Sequence, residues 1–364
     1  MRRFFAGTAA ALLAAVLFLP VGADAVSARR AYAVDAVSGR VLYEKNPTER
    51  SLIASTTKIM TALIVCEQCN VLDRMRIPKE AVGIEGSSMY LKEGEVLTLQ
   101  ELLYGLMLSS GNDAAVALAI YCGGTVEGFA ELMNDKAHNL GLTGTHFENP
   151  NGLDSPGHYS TAKDLGTLAA YAMENPIFYK TVSAKNVKVG DRYLTNHNKL
   201  LWRVAGADGV KTGFTKAAGR ILVSSATRDG RRVIVVTIDD PSDWSDHAAL
   251  MEEGFSRYAI QRVVNQGDRV GTVEVVGGEK RRVDVLAAED FDYSVAPEEH
   301  PCLALPGPGF IYAPAVEGAD AGVVYVLIEG KAVGKVPVVY GATIEQTQPE
   351  EKSFWQKLFH RGSG

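Results

Sequence analysis

Hydrophobic and polar positions alternate with a period of two in AYAVDAVSGRVLYEKN, residues 31–46, which predicts two short strands around a turn at Ser38-Gly39. The period then becomes helical from Ser55 to about Cys66, and again from Leu97 to Tyr121, where Ser109-Ser110-Gly111-Asn112 interrupts it. Two further helices are expected over Val126–Leu140 and Ala162–Met173, with the glycine-, proline- and asparagine-rich run ENPNGLDSPGHYS as a long loop between them. Gly219–Ala226 and Arg232–Ile238 read as strands joined by the hairpin signal Thr227–Arg231, and a helix from about His247 to Tyr258 follows. Strands at both ends with helices between them imply an α+β unit: one antiparallel sheet flanked by helices. From about Ile260 to Gly341 the helical period disappears. Short apolar runs, Val270–Val276, Arg282–Leu286 and Val323–Leu327, alternate there with turns, as in a small all-β domain.

The two ends of the chain read differently. Arg2 and Arg3 precede an apolar run from about Ala9 to Leu19, followed by Ala23-Asp24-Ala25. That order, charged start, short apolar stretch and small residues before a cut, is the layout of a secretory signal peptide spanning residues 1–25. The apolar run is short for a membrane span. Removing it takes away two arginines and one aspartate, which moves the net charge from −6 to −7. At the other end, residues 342–364 form a polar linker and a short basic amphipathic tail. Phe354, Trp355, Leu358 and Phe359 share one helical face, with Lys352, Lys357 and Arg361 around it. Such a segment suits a membrane interface.

Composition, with 46% hydrophobic and 22% charged residues, suits a globular protein with a real core, and the negative net charge argues against a nucleic-acid partner. Of the four cysteines, Cys66 and Cys69 form a C-x-x-C, while Cys122 and Cys302 stand apart. No second C-x-x-C and no histidine pair completes a metal site, and no cofactor motif is present. Buried thiols, or one structural disulfide involving Cys122, account for them. The seven histidines include no H-x-H or H-E-x-x-H spacing, which disfavours a zinc peptidase.

Three short motifs carry chemistry: Ser55-Thr56-Thr57-Lys58, Ser110-Gly111-Asn112 and Lys211-Thr212-Gly213. At the start of a helix, residues three apart lie on one face, so the Lys58 amine can reach the Ser55 hydroxyl. A serine needs an adjacent base to become nucleophilic. A lysine serves if burial and a second cation, here Lys211, hold it neutral. Gly213 has no side chain, so a substrate backbone can lie against it where the Lys211-Thr212-Gly213 strand begins.

In this order, and with the runs ASTTKIMTAL, GSSMYLKEGEVLTLQELLYGLMLSSGNDAA, THFENPNGLDS, STAKDL and DGVKTGFTKAAGR, the sequence resembles the D-alanyl-D-alanine carboxypeptidase family of serine-type penicillin-binding proteins. The resemblance covers about residues 30–258, and 260–341 is similar to that family's C-terminal domain. It implies a β-lactamase-like catalytic domain over 26–258 followed by the small all-β domain. It also implies release of the terminal D-alanine from peptidoglycan stem peptides and acylation by β-lactams, on the extracytoplasmic face of the membrane or in the cell wall. By the same resemblance, Ser55, Lys58 and Ser110 are catalytic, with Ser110 passing a proton to the leaving amine. Asn112 would bond the substrate amide. Lys211, Thr212 and Thr215 would attract its carboxylate, and the backbone N–H groups of Ser55 and Phe214 would form the oxyanion hole beside Gly213. Arginines that help some members hold the carboxylate have no counterpart in TNHNKLLW or Trp244-Ser245-Asp246, which leaves His197 as a further candidate.

Other readings stay open. A β-lactamase would need a water-activating glutamate, but the loop from Asn149 to Ser160 offers Asp154 instead. A D,D-endopeptidase or transpeptidase differs only in substrate length or acyl acceptor. A penicillin-binding scaffold that acylates without turnover would keep the same motifs.

Overall fold

The computed structural model describes residues 26–307 and 309–348; the signal-peptide expectation and the amphipathic tail lie outside them, while Ile344, expected in the linker, is buried in the β-rich part and bridges to Ala315. The first alternating run forms β1 (Arg30–Asp35) and β2 (Val41–Lys45), paired antiparallel. Asp35 accepts the backbone N–H of Val37 and Ser38 in the turn, and Gly39 takes φ +71°. The nucleophile motif opens as a 3₁₀ turn, Ala54–Thr57, and runs into α1 (Lys58–Gln68), a helix buried from Lys58 through Cys66. A two-stranded ribbon, β3 (Arg74–Arg76) and β4 (Val96–Thr98), leads to α2 (Leu99–Leu108), which Thr98 and Glu101 start with a reciprocal capping box. The break at Ser109–Gly111 separates α2 from α3 (Asn112–Gly123), and α4 (Val126–Asn139) follows. A disulfide between Cys69 and Cys122, Cα atoms 6.8 Å apart, ties the end of α1 to α3. Cys66 stays free and buried, and Cys302 free and exposed.

Beyond the long loop come α5 (Ala162–Ala172), capped by Thr161, and α6 (Pro176–Ser183), which the apolar pattern did not single out. Asn175 accepts from Ile177 and Phe178, and proline sits in the first turn, so eight residues suffice for a defined helix. A small hairpin, β5 (Asn186–Val189) and β6 (Arg192–Thr195), and the short α7 (Leu200–Arg203) lead to three long strands. These are β7 (Ala207–Thr215), β8 (Gly219–Arg228) and β9 (Arg231–Ile238). Lys211-Thr212-Gly213 therefore lies in the second half of its strand rather than at its beginning. The final helix of this unit, α8 (Asp243–Arg257), starts four residues before the predicted His247, with Asp243 and Asp246 in its first turn.

The five strands form one antiparallel sheet in the order β2-β1-β9-β8-β7. Both faces are covered, so β9 reads as a continuous apolar run rather than an alternating one. Tyr32, Val34, Ile234 and Val236 pack with α1 and α5 in the main core, while Ala31, Ala33, Val233 and Val235 meet Leu250 and Met251 of α8. β7 is left as an edge strand, and the nucleophile turn packs against it.

The remaining chain is all β: β10 (Ala259–Val264), β11 (Arg269–Val276), β12 (Arg282–Ala287), β13 (Phe291–Val295), β14 (Cys302–Ala304), β15 (Phe310–Tyr312), β16 (Asp320–Ile328) and β17 (Lys331–Tyr340). Six of these strands form one sheet, and valines of β12, β16 and β17 fill its core. The two parts meet at Arg40, which grips Glu299 at 2.6 and 2.7 Å and lies over the Tyr258 ring, 4.4 Å from its centroid. Beside it, Ser294 donates to the fully buried Asp35 at 2.7 Å.

Candidate active site

Ala54 adopts φ +45°, an uncommon conformation for a residue with a side chain. It turns Ser55 toward the β7 edge. One turn on, the Lys58 side chain is fully buried, with Nζ 2.9 Å from Ser55 Oγ. The same nitrogen donates to Asn112 Oδ1 at 2.7 Å and to the Asn151 carbonyl at 2.6 Å. Both of these partners can only accept. In its neutral form the amine has two N–H groups and one lone pair, so the two carbonyls would take both hydrogens and leave the lone pair for the serine hydroxyl; in its protonated form it donates to all three. Burial pushes the Lys58 pKa well below the usual lysine range. The positive charge of Lys211 adds to that and Asp113 opposes it.

The Asn151 carbonyl comes from a loop shaped by its own side chains. Asn149 Oδ1 accepts the N–H of Asn151 and Gly152, and Asn151 Oδ1 accepts from Leu153. Gly152 has φ +84°, and a Cβ there would fall 1.8 Å from the Ala54 carbonyl oxygen, so only glycine lets the loop sit this close. Thr61 donates to the Pro150 carbonyl at 2.6 Å, and Thr57 bonds His158 Nε2 at 2.7 Å. Burial lowers the His158 pKa to about 4.

Ser110 and Asn112 sit in the break before α3. Ser110 is nearly buried and held at φ +60°. Asn112 is engaged at both ends of its amide: Oδ1 accepts from Lys58 and Nδ2 donates to the Glu85 carbonyl at 2.6 Å. Its second amide hydrogen has no partner among the described residues. Asp113 pins the facing loop by accepting from Ser88 Oγ and from the backbone of Met89 and Leu91.

β7 supplies the opposite wall. A Cβ on Gly213 would lie 3.3 Å from the Ser55 backbone nitrogen, so the two backbones are close together here. Lys211 is buried, its Nζ 2.9 Å from the Thr212 carbonyl, and burial lowers its pKa to about 7. Thr215 stands away from the cleft lining, where it donates to Asp154 at 3.1 Å and caps Ala218. Ser55, Ser110, Thr212, Gly213 and Phe214 line a cleft of about 380 Å³, with Lys58, Asn112 and Lys211 behind its walls.

His197 lines the same cleft, its pKa lowered by burial and then by the Lys211 charge. Sequence reasoning missed Arg220, which lines the cleft and forms a bidentate pair with Asp243. Its signal was present: Arg220 ends the run DGVKTGFTKAAGR, but its place depends on the β7–β8 register.

The profile described as D-alanyl-D-alanine carboxypeptidase matches residues 19–242, and that of the penicillin-binding protein 5 C-terminal domain matches 258–346. The chain is 32% identical over 346 residues to D-alanyl-D-alanine carboxypeptidase DacC of Escherichia coli, covering 90% of this chain and 86% of that protein. The crystal structure of penicillin binding protein 5 from Haemophilus influenzae superposes with a TM-score of 0.76 at 29% identity, over 88% of this chain and 98% of that one. The Streptomyces K15 DD-transpeptidase gives a TM-score of 0.62 at 36% identity, over 64% of this chain and 98% of that one.

Proposed function

The chain belongs to the D-alanyl-D-alanine carboxypeptidase family, and from that premise we propose how its residues release the terminal D-alanine of peptidoglycan stem peptides. It is a serine-type carboxypeptidase and a penicillin-binding protein of the β-lactamase-like fold. Lys58 removes the Ser55 proton, and Ser55 Oγ attacks the carbonyl carbon of the penultimate D-alanine. The resulting oxyanion rests on the backbone N–H groups of Ser55 and Phe214; such donors are worth about 2.7–4 kcal/mol each in enzymes where one has been removed. Ser110 passes a proton to the leaving amine, and D-alanine departs. Water then cleaves the ester, with Lys58 again the base. Asn112 holds Lys58 with its carbonyl and offers its remaining amide hydrogen to the peptide. Lys211 and Thr212 attract the terminal carboxylate, whose negative charge favours the protonated form of Lys211. Thr215, the next hydroxyl along the same strand, is bonded to Asp154.

The observation that carries this reading is the buried Lys58 amine, with two carbonyl acceptors and the Ser55 hydroxyl around it. No carboxylate is among the bonded partners of Ser55, Lys58 or Asn112 within the described residues. That supports slow rather than efficient β-lactam hydrolysis. The test is D-alanine release from diacetyl-lysyl-D-alanyl-D-alanine, with Ser55→Ala beside the wild type. Activity and penicillin labelling should both vanish in the variant; labelling at the wild-type rate would refute the assignment.

Relatives of this kind act on the cell wall, outside the cytoplasm. Export through residues 1–25 is part of the proposal, and the Cys69–Cys122 pair suits an oxidising compartment. So is contact of the basic amphipathic tail with the membrane surface. β-lactams are its covalent inhibitors.

A further inference from the structure

A cleft that cuts one peptide terminus must also meet the polymer from which that peptide hangs. Residues 176–206 hold six basic side chains and one acidic, Asp191, a net charge of +5 in a chain whose total is −6. Arg192 is taken by Glu95. The other five, Lys180, Lys185, Lys188, Lys199 and Arg203, are exposed and have no ion-pair partner among the described residues. Cations crowded into one segment of an acidic protein, with no internal partners, leave a local positive field open to an anionic ligand.

Three of these lysines form a strip that starts at the Ser55 cleft. Lys199 lines the cleft. Trp202 follows three residues later in the same turn, its N–H bonded to the Lys199 carbonyl at 3.2 Å, so both side chains lie on one side of α7. Lys185 Nζ stands 5.8 Å from the Trp202 ring centroid. Lys185 leads into β5, where Lys188 pairs with Tyr193 of β6 and its amine lies 5.3 Å from that ring. Val189 and Leu194 are buried on the other side of the hairpin, so Lys188 and Tyr193 face solvent. Tyr193 is 79% exposed and Trp202 48%. Exposed Tyr and Trp are enriched where a protein meets a partner. An aromatic face accepts the C–H face of a sugar ring, and a lysine beside it accepts a carboxylate.

We propose that Lys185, Lys188 and Lys199 with Tyr193 and Trp202 form a subsite for the polymeric part of the substrate. It takes a glycan strand whose sugar rings stack on the two aromatics and whose stem-peptide carboxylates pair with the three lysines. Because the strip begins at the cleft, a strand engaged there presents its peptide ends to Ser55, and the enzyme favours polymer over short soluble peptides. Aromatics interleaved with cations suit a polymer that carries both sugars and acidic peptides; a polyphosphate would need the cations alone. The inference rests on the carboxypeptidase reading above.

Two double variants of the full chain test it: Lys185→Glu with Lys188→Glu, and Tyr193→Ala with Trp202→Ala. Binding is read by co-sedimentation with purified, lipid-free peptidoglycan, in a Ser55→Ala background so that the polymer is not altered. Turnover is read, with Ser55 intact, as kcat/KM for D-alanine release from the same polymer and from diacetyl-lysyl-D-alanyl-D-alanine. Reversing two exposed charges should weaken co-sedimentation by roughly ten-fold, and removing the two rings should do about the same. The value of kcat/KM on polymer should fall in step, while that on the short peptide stays unchanged. Unchanged co-sedimentation in both variants, or an equal loss on both substrates, would overturn the proposal. So would binding that disappears once attached phosphate polymers are stripped from the wall. Binding to phosphatidylglycerol vesicles that is lost in the same variants would give this face to a membrane and overturn it too. Sedimentation that depends on these residues in a protein that releases no D-alanine would sink the carboxypeptidase reading and leave the subsite standing.

Discussion

At the scale of the residue, the chemistry turns on the charge of one buried amine. Lys58 has its pKa depressed by burial and by Lys211, so it sheds its proton at a lower pH than an exposed lysine does. On the proposed mechanism the acid limb of activity marks the pH where Lys58 becomes protonated. Lys211→Met takes away a like charge, so the Lys58 pKa must rise and the limb must move to higher pH. The rate of Ser55 acylation by fluorescent penicillin, measured against pH, reads this directly; an unmoved limb would uncouple the two lysines. The approach of Lys58 to Ser55 could be expected from the sequence, because residues three apart at a helix start share one face. The carbonyls of Asn151 and Glu85 could not, because any residue supplies a carbonyl and only the fold aims it.

At the scale of the element, the loop after α4 does as much as the helices to build the site. Its glycine lies against the carbonyl that precedes the nucleophile. Gly152→Ala would force a left-handed φ on an alanine, costing about 1–2 kcal/mol, and would also drive a methyl into the Ala54 carbonyl. The expected outcome is a lower melting temperature and acylation slowed at least ten-fold, seen by calorimetry and penicillin labelling on the same sample. Wild-type behaviour in both would mean that the loop is not packed as described. Helices with long apolar faces and polar caps, such as α2 and α5, could be read from the sequence. α6 could not, because two turns leave too little periodicity to detect. The beginning of β7 was expected at Lys211, whereas the strand already runs from Ala207 through Gly209, where glycine gives no strand signal.

At the scale of the whole molecule, the sheet is completed by β1 pairing with β9, residues some two hundred positions apart along the chain. Hydrophobic pattern predicts strands at both ends but not which edges meet, so the antiparallel sheet was legible and its order was not. The joint with the β-rich part, Arg40 with Glu299 and Asp35 with Ser294, carried no signal either, since each is an ordinary polar residue until the two parts dock. Two buried histidines set the acid response of the assembly. His158 and His247 have pKa values lowered by burial to about 4 and about 3, below the roughly 6.5 of an unfolded chain. The unfolded state therefore binds protons first. Stability is full above about pH 6.5 and falls as the pH drops toward those values, by up to about 1.4 kcal/mol per pH unit for each histidine. Urea midpoints recorded between neutral pH and pH 4 should fall along that course. A flat profile would show that neither histidine is held neutral.

The measurement that tests the central claim most directly is peptide mapping by mass spectrometry of the protein trapped with benzylpenicillin. A single acyl adduct on the peptide containing Ser55, missing from Ser55→Ala and slow to form in Lys58→Ala, is the result the account predicts. An adduct on Ser110 or any other residue, or labelling that persists unchanged without Lys58, would contradict it.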